Sequence, residues 1–88
     1  MYLQKKETIL IVDDSKFQRA IIKEMLGEHF HLEGATSGEE CLMILEKRSH
    51  LIELVFLHIV MPGIDGFEVL RRRQTMDAFK DINFCRCI

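Results

Sequence analysis

The stretch Leu54–Leu70, LVFLHIVMPGIDGFEVL, decides the fold of this 88-residue chain. It opens with LVFL, an apolar run rich in β-formers, which is typical of a short strand buried on both faces. The only proline, Pro62, ends the strand, and the GIDG that follows predicts a turn. Asp65 is followed three residues later by Glu68, the spacing of a capping box, so a helix is expected to begin there. The sequence therefore predicts a strand, a loop and a helix, with polar His58 at the carboxyl end of the strand.

Two further strand–helix units precede this stretch. Both helices are expected to begin at a serine that has Gln or Glu three residues later, which is again the capping-box spacing. The predicted elements are strands at Thr8–Val12 and His29–Ala35, helices over Lys16–Leu26 and from Ser37 to Arg48, and a candidate fourth strand at Ile82–Ile88. Polar residues interrupt the second strand, so we expect it at a sheet edge. This alternation with short connections predicts a parallel sheet with right-handed crossovers and helices on both faces.

Composition and charge predict one small globular domain. The chain is 48% apolar and 30% charged, and its net charge of -2 gives no basic surface for direct nucleic-acid binding. No apolar run approaches the roughly 18 residues needed to span a membrane. The three cysteines, Cys41, Cys85 and Cys87, are odd in number and form no CxxC motif, which favours reduced thiols in the cytoplasm over a disulfide framework.

Polar residues at two strand ends point to one pocket. Neighbouring parallel strands would bring Asp13, Asp14 and His58 together at the carboxyl edge of the sheet, where open α/β sheets bind ligands. The segments ILIVDDS, TSGEE and HIVMPGIDGFEVL, in this order and spacing, resemble the receiver domain of bacterial two-component response regulators. The resemblance covers roughly Thr8 to Leu70.

The resemblance implies a fold class and a domain division. The fold would be α/β, a flavodoxin-like doubly wound parallel sheet, with (βα)3 plus the candidate fourth strand. It would be incomplete relative to a (βα)5 receiver. Residues 1–7 would form an N-terminal extension and residues 8–88 a partial receiver domain.

The resemblance also implies a chemistry. A receiver takes a phosphoryl group from a histidine kinase onto an aspartate at the end of the third strand, assisted by Mg²⁺. By this resemblance Asp13 and Asp14 are Mg²⁺ ligands, and the backbone carbonyl of Val60 is a third. Hard oxygen ligands suit Mg²⁺, which neutralises charge on the phosphoryl oxygens. The implied partner is a histidine kinase or another signalling protein in the cytoplasm.

The chain departs from the family at the phosphoacceptor. His58 stands where the family has aspartate, imidazole cannot form an acyl phosphate, and its nitrogen binds Mg²⁺ poorly. No residue up to Ile88 matches the hydroxyl residue after the family's fourth strand or the lysine after its fifth. We therefore expect no catalytic residue, weakened Mg²⁺ binding and no ordinary aspartate phosphorylation. We also expect an unpaired sheet edge, offering a route to self-association, and a first helix without a packing neighbour.

The sequence leaves alternatives open for His58 and for the function. His58 is an inert replacement, a protonated partner of the two carboxylates that mimics a bound metal, or a ligand in a mixed site for Zn²⁺, Mn²⁺ or Ni²⁺. The leading function is a non-enzymatic receiver module in phosphorelay signalling that acts through protein contacts. A Mg²⁺-dependent phosphohydrolase is the second, although Asp13-Asp14-Ser15 lacks the one-residue gap of the haloacid-dehalogenase-like pattern. A non-functional truncated remnant is the third.

The run Arg71-Arg72-Arg73 is predicted to be a solvated helix end.

Overall fold

A computed structural model describes residues 8–79 and 82–87 as a four-stranded sheet with three helices. The predicted N-terminal extension, residues 1–7, and the last residue of the candidate fourth strand, Ile88, lie outside the described residues. The elements are β1 Thr8–Val12, α1 Lys16–Leu26, β2 His31–Ala35, α2 Gly38–Arg48, β3 Ile52–His58, α3 Gly66–Thr75 and β4 Asn83–Cys87. Short 3₁₀ turns at Ser49–Leu51 and Asp77–Phe79 lead into β3 and towards β4. None of the described helices is long and apolar enough to cross a membrane.

All the strand pairs are parallel, in the order β2-β1-β3-β4. The predicted α/β class and the edge position of β2 are therefore confirmed. Val12 at the end of β1 pairs with Leu57, one residue before the end of β3. This register brings the residues that follow β1 to the same edge of the sheet as His58.

The main core lies between the sheet and the pair α2 and α3. Alternate residues of β1 and β3 point to this face of the sheet, because successive side chains of a strand point to opposite faces. They pack with the inner faces of the two helices, and Phe79 and Ile82 close the far end. Its wholly buried members include Leu10, Val55, Leu57, Cys41, Leu45, Val69 and Phe79. Burial raises the pKa of the Cys41 thiol to about 12, so this cysteine behaves as a small apolar side chain.

Helix α1 packs on the opposite face of the sheet, where Ile9 and Ile11 point, and none of its residues is fully buried. The apolar residues of α1 divide between two faces: Ile22 and Leu26 are half-buried, whereas an exposed stripe consists of Phe17, Ala20, Ile21 and Met25. An apolar stripe at helical spacing usually faces the core, but in this stripe Phe17 and Met25 are 72% and 73% exposed. Arg19 lies inward. Its aliphatic Cδ would be 3.3 Å from a Cβ on Gly34, so the missing side chain of this β2 glycine makes room for it. The arginine stem thus covers the sheet.

The loop between β3 and α3 is held by glycines at two helix starts. The Gly66 N–H donates to the carbonyl of Ile59 at 2.8 Å, and a Cβ on Gly66 would lie 2.7 Å from both the His58 carbonyl and the Ile59 Cα. A Cβ on Gly38, at the start of α2, would collide with the carbonyl of Ile64. Close backbone approach at both positions therefore requires glycine.

This contact predicts unequal effects for two glycine substitutions. Gly38→Ala should lower the free energy of unfolding by about 1–3 kcal/mol, because the obstacle is backbone that cannot move aside. Gly34→Ala is the matched control: its nearest atoms belong to the flexible Arg19 side chain, so the change should stay within about 0.5 kcal/mol. Urea unfolding of both variants measures the difference. Equal destabilisation would contradict the rigid contact between α2 and the loop.

Candidate functional site

The predicted pocket residues meet at the carboxyl edge of the sheet. Asp13 and Asp14 follow β1 directly, and His58 is the last residue of β3. One ligand atom from each of the three side chains can be chosen so that all lie within 4.8 Å of one another. The juxtaposition expected from parallel pairing of β1 and β3 is therefore present.

Asp13 is the most firmly held member of this cluster. It is only 8% exposed, and its backbone N–H donates to the carbonyl of Ala35 at 3.0 Å. Its Oδ1 accepts the Ser15 N–H at 2.9 Å, and its own carbonyl accepts Nη1 of Arg19 at 2.6 Å. These bonds fix the Asp13 carboxylate and leave its Oδ2 directed towards His58.

His58 lies near Asp13 without a hydrogen bond to it. The distance from its Nδ1 to the Oδ2 of Asp13 is 3.9 Å, beyond hydrogen-bonding range. The imidazole is a quarter exposed, whereas Asp14 lies at the surface. The three groups therefore form an open pocket with two carboxylates and one imidazole that are close but not joined.

Local capping positions the loops around the pocket as the sequence predicts. Ser15 accepts the Gln18 N–H at 3.3 Å at the start of α1, which supports its assignment as a cap. Asp65 Oδ1 accepts the Glu68 N–H at 3.1 Å at the start of α3. The Val60 residue is exposed, and its predicted role as a carbonyl ligand stays a prediction.

The arginine run of α3 is more structured than expected. Arg71 and Arg72 both donate to the Glu68 carboxylate, which lowers the pKa of Glu68 to about 2, with the Arg71 hydrogen bond as the largest cause. Arg73 instead donates to the carbonyl of Ile82 and lies over the Phe84 ring. The prediction of a wholly solvated run is therefore wrong for Arg73, which ties α3 to the start of β4.

A second candidate surface lies on α1. Phe17, Ala20, Ile21, Glu24 and Met25 line an open, mainly apolar groove of about 290 Å³. The spacing of the apolar residues signals an amphipathic helix in the sequence. It cannot signal that the stripe faces outward, because that depends on which side of α1 meets the sheet.

This chain is similar to receiver domains of known proteins. Residues 9–84 match the family described as the response regulator receiver domain. The chemotaxis protein CheY of Halobacterium salinarum is 35% identical over 81 residues, which are 91% of this chain and 66% of that protein. The receiver-protein N-terminal domain from Methanoculleus marisnigri superposes with a TM-score of 0.84 at 37% identity, covering 93% of this chain and 66% of that structure. A probable cyclic di-GMP phosphodiesterase of Vibrio cholerae is 42% identical over 65 residues, only 14% of its length.

The sheet, its acidic edge and these matches define a receiver module of two-component signalling. The chain belongs to the response regulator receiver domain family. It spans no more than about two thirds of the length of these relatives.

Receiver domains bind Mg²⁺ at the acidic pocket, and the donors present here fit that ion only in part. Asp13 and Asp14 supply the carboxylate oxygens that Mg²⁺ prefers. His58 supplies a nitrogen, and Mg²⁺ is selected by carboxylate, carbonyl and water oxygens rather than by imidazole. The pocket as a whole is therefore not a well-matched Mg²⁺ site.

The two neighbouring carboxylates predict a measurable repulsion. In buffer with EDTA and low salt, Asp14→Asn should raise the free energy of unfolding by up to about 1 kcal/mol, because it removes one of two like charges a few ångströms apart near water. Added NaCl should shrink the gain through screening.

The exposed Glu53, near the start of β3, provides the control. Glu53→Gln should change stability by less than Asp14→Asn in the same urea titrations. A lower free energy of unfolding in Asp14→Asn would contradict this. It would show that other groups stabilise the Asp14 charge more than the neighbouring carboxylate repels it.

Proposed function

We propose that this chain is a receiver module that cannot be phosphorylated in the usual way and that acts in the cytoplasm through protein–protein contacts, without enzymatic activity. The observation that carries the proposal is His58 at the acceptor position, beside the acidic pair of the family's pocket. In this proposal residues 8–88 form the partial receiver domain and residues 1–7 an extension before it. Free cysteines, Cys41 buried and Cys85 exposed, support a reducing compartment.

His58 removes the group on which receiver chemistry depends. An aspartate carboxylate forms a mixed anhydride with phosphate, and imidazole has no oxygen with which to do so. Asp13 is held by its backbone hydrogen bond to Ala35 and by the β1 register, not by the side chain at position 58, and Asp14 follows it directly in the chain. In this proposal the pocket keeps the acidic pair while its acceptor is lost. Mg²⁺ binding by Asp13, Asp14 and the Val60 carbonyl would be weakened for the same reason.

The groove on α1 supports action through a partner. It offers apolar side chains along one helix, with Glu24 among them. Such a surface fits an amphipathic helix that packs ridges into grooves and brings a basic residue opposite Glu24. A helical segment of a histidine kinase, or of another signalling protein, is the partner that we propose.

The alternative functions receive less support. A phosphohydrolase of the haloacid-dehalogenase-like pattern would need two aspartates separated by one residue, and Asp13 and Asp14 are adjacent. A remnant without function would be expected to leave polar groups stranded, yet every buried side-chain nitrogen and oxygen in the described part of the chain has a hydrogen-bond partner. An ordered module is the better account.

Treatment with acetyl phosphate and Mg²⁺ tests the role of His58. Intact mass should show no stable phosphoryl adduct on the natural chain, because the acceptor carboxylate is missing. His58→Asp restores that carboxylate beside Asp13 and Asp14 and should gain one phosphoryl group.

His58→Asn is the matched control, since it has a similar size to Asp but no carboxylate, and it should gain nothing. A stable adduct on the natural chain would contradict the proposal. Failure of His58→Asp to react would mean that the incapacity does not rest on His58 alone, because no residue up to Ile88 matches the family's hydroxyl and lysine positions.

Substitutions on the exposed stripe test the partner surface. The cytoplasmic portions of the histidine kinases from the same genome serve as probes in pull-down and calorimetry. Ile21→Asp should weaken any complex by about 30-fold or more, as expected when a charge replaces a central apolar contact. Met43→Asp, on exposed α2 surface, is the control and should bind normally. Equal weakening in both variants, or no binding to any kinase, would contradict this surface and partner.

A further inference from the structure

We propose that Asp13, Asp14 and His58 form a binding site for a borderline transition-metal ion, Zn²⁺ in the first place, in preference to Mg²⁺. The inference rests on the proposed function, in which His58 takes no part in phosphoryl transfer. It assigns that residue a ligand's role. Occupancy of the pocket would then follow metal availability instead of phosphorylation.

The ligand atoms of the three side chains lie within 4.8 Å of one another, and the Asp13–His58 pair comes near the spacing around a bridging ion. Nitrogen and oxygen ligands about 2.0–2.1 Å from a tetrahedral Zn²⁺ are about 3.3 Å apart. Nδ1 of His58 and Oδ2 of Asp13 are 3.9 Å apart, too far for a direct hydrogen bond and about half an ångström wider than a metal-bridged pair. Small side-chain rotations close that difference.

The carboxylate of Asp13 is prepared for such a ligand. The residue is more than nine-tenths buried, and its Oδ1 is occupied by the Ser15 N–H. Within residues 8–79 and 82–87, no donor makes a hydrogen bond to Oδ2, which faces the imidazole. A carboxylate oxygen with this orientation, in a residue that is only 8% exposed, would gain from a cation placed between the strands.

The third ligand and the charge balance also favour a divalent ion. Asp14 is exposed at the pocket mouth, and its carboxylate can turn inward without disturbing the core. Two carboxylates and a neutral imidazole carry a charge of about -2, which one divalent cation neutralises. Three protein ligands leave a position open, as in zinc sites that bind water or a fourth group.

The imidazole sets the choice of metal. Mg²⁺ is bound by six hard oxygens in near-ideal octahedral geometry, whereas imidazole suits Zn²⁺, Ni²⁺ and Cu²⁺. An aspartate at position 58 would give an all-oxygen set and reverse the preference. The difference between the natural chain and His58→Asp therefore isolates the effect of one ligand.

Calorimetric titration of the full chain with ZnCl₂, in chelator-free buffer with and without excess MgCl₂, tests the site. We expect one Zn²⁺ per chain with little competition from Mg²⁺. His58→Gln and Asp14→Asn should each weaken Zn²⁺ binding by at least about tenfold, a loss usual even for residues that only orient the ligands. His29→Gln, at another exposed histidine, is the matched control and should bind Zn²⁺ normally.

The cysteines near the end of the chain provide a separate control. Zn²⁺ also binds thiolates, so the double variant Cys85→Ser, Cys87→Ser should keep the tight site. Thermal unfolding with and without Zn²⁺ verifies that each variant is folded, and a Zn²⁺-dependent rise in Tm should disappear in His58→Gln but persist in His29→Gln.

Several outcomes would overturn the site. They are no Zn²⁺ binding to the natural chain, equal binding by His58→Gln, or loss of binding in the cysteine variant. If Zn²⁺ fails to bind but His58→Asp still accepts phosphate from acetyl phosphate where the natural chain does not, only the metal site is refuted. If the natural chain itself forms a stable phosphoryl adduct, the proposed function is refuted whatever the metal result.

Discussion

The parallel pairing of β1 with β3 is the constraint on which the rest of the structure depends. A slip of one residue would turn apolar side chains of the main core, such as Leu10 and Val55, towards the opposite face of the sheet. The register that satisfies the core places Val12 opposite Leu57. It thereby brings the two aspartates after β1 and the histidine at the end of β3 into one pocket. The functional edge is a by-product of core packing.

The same constraint explains why the fold does not depend on the side chain at position 58. Asp13 is held by the N–H of Ser15, by a backbone bond to β2 and by the Arg19 side chain of α1, none of which involves His58. The loop after His58 is held by the Gly66 N–H and by the close approach of Gly38. A change from carboxylate to imidazole therefore alters the chemistry of the pocket with little demand on the fold. Ligand selectivity is free to change while the scaffold stays the same.

The sequence predicts most of the elements because their signals are local. The helix α1 spans the predicted residues, each predicted capping side chain accepts the N–H three residues later, and continuous apolar runs mark β1 and β3. Convergence of Asp13, Asp14 and His58 follows from parallel topology alone. The inward position of Arg19 could not be predicted, because it depends on the space above Gly34, a contact between residues 15 positions apart. The hydrogen bond from Arg73 to the carbonyl of Ile82 also joins residues from different parts of the fold, so the sequence of the arginine run does not predict it.

The outward stripe of α1 joins a second region of incomplete cover. Leu54 and Phe56 of β3 are paired with Ile9 and Ile11, so they point to the α1 side, and both are only half-buried there. Next to Phe56 in the sheet, Cys85 is exposed. Apolar surface on the helix and on the adjoining strands therefore lies on one side of the molecule, opposite the main core. Because contiguous exposed apolar area is costly in water, a partner that covers this side both gains affinity and stabilises the domain. Binding of such a partner would be coupled to folding on this face, whereas the proposed ligand choice at the pocket depends on side chains at the sheet edge.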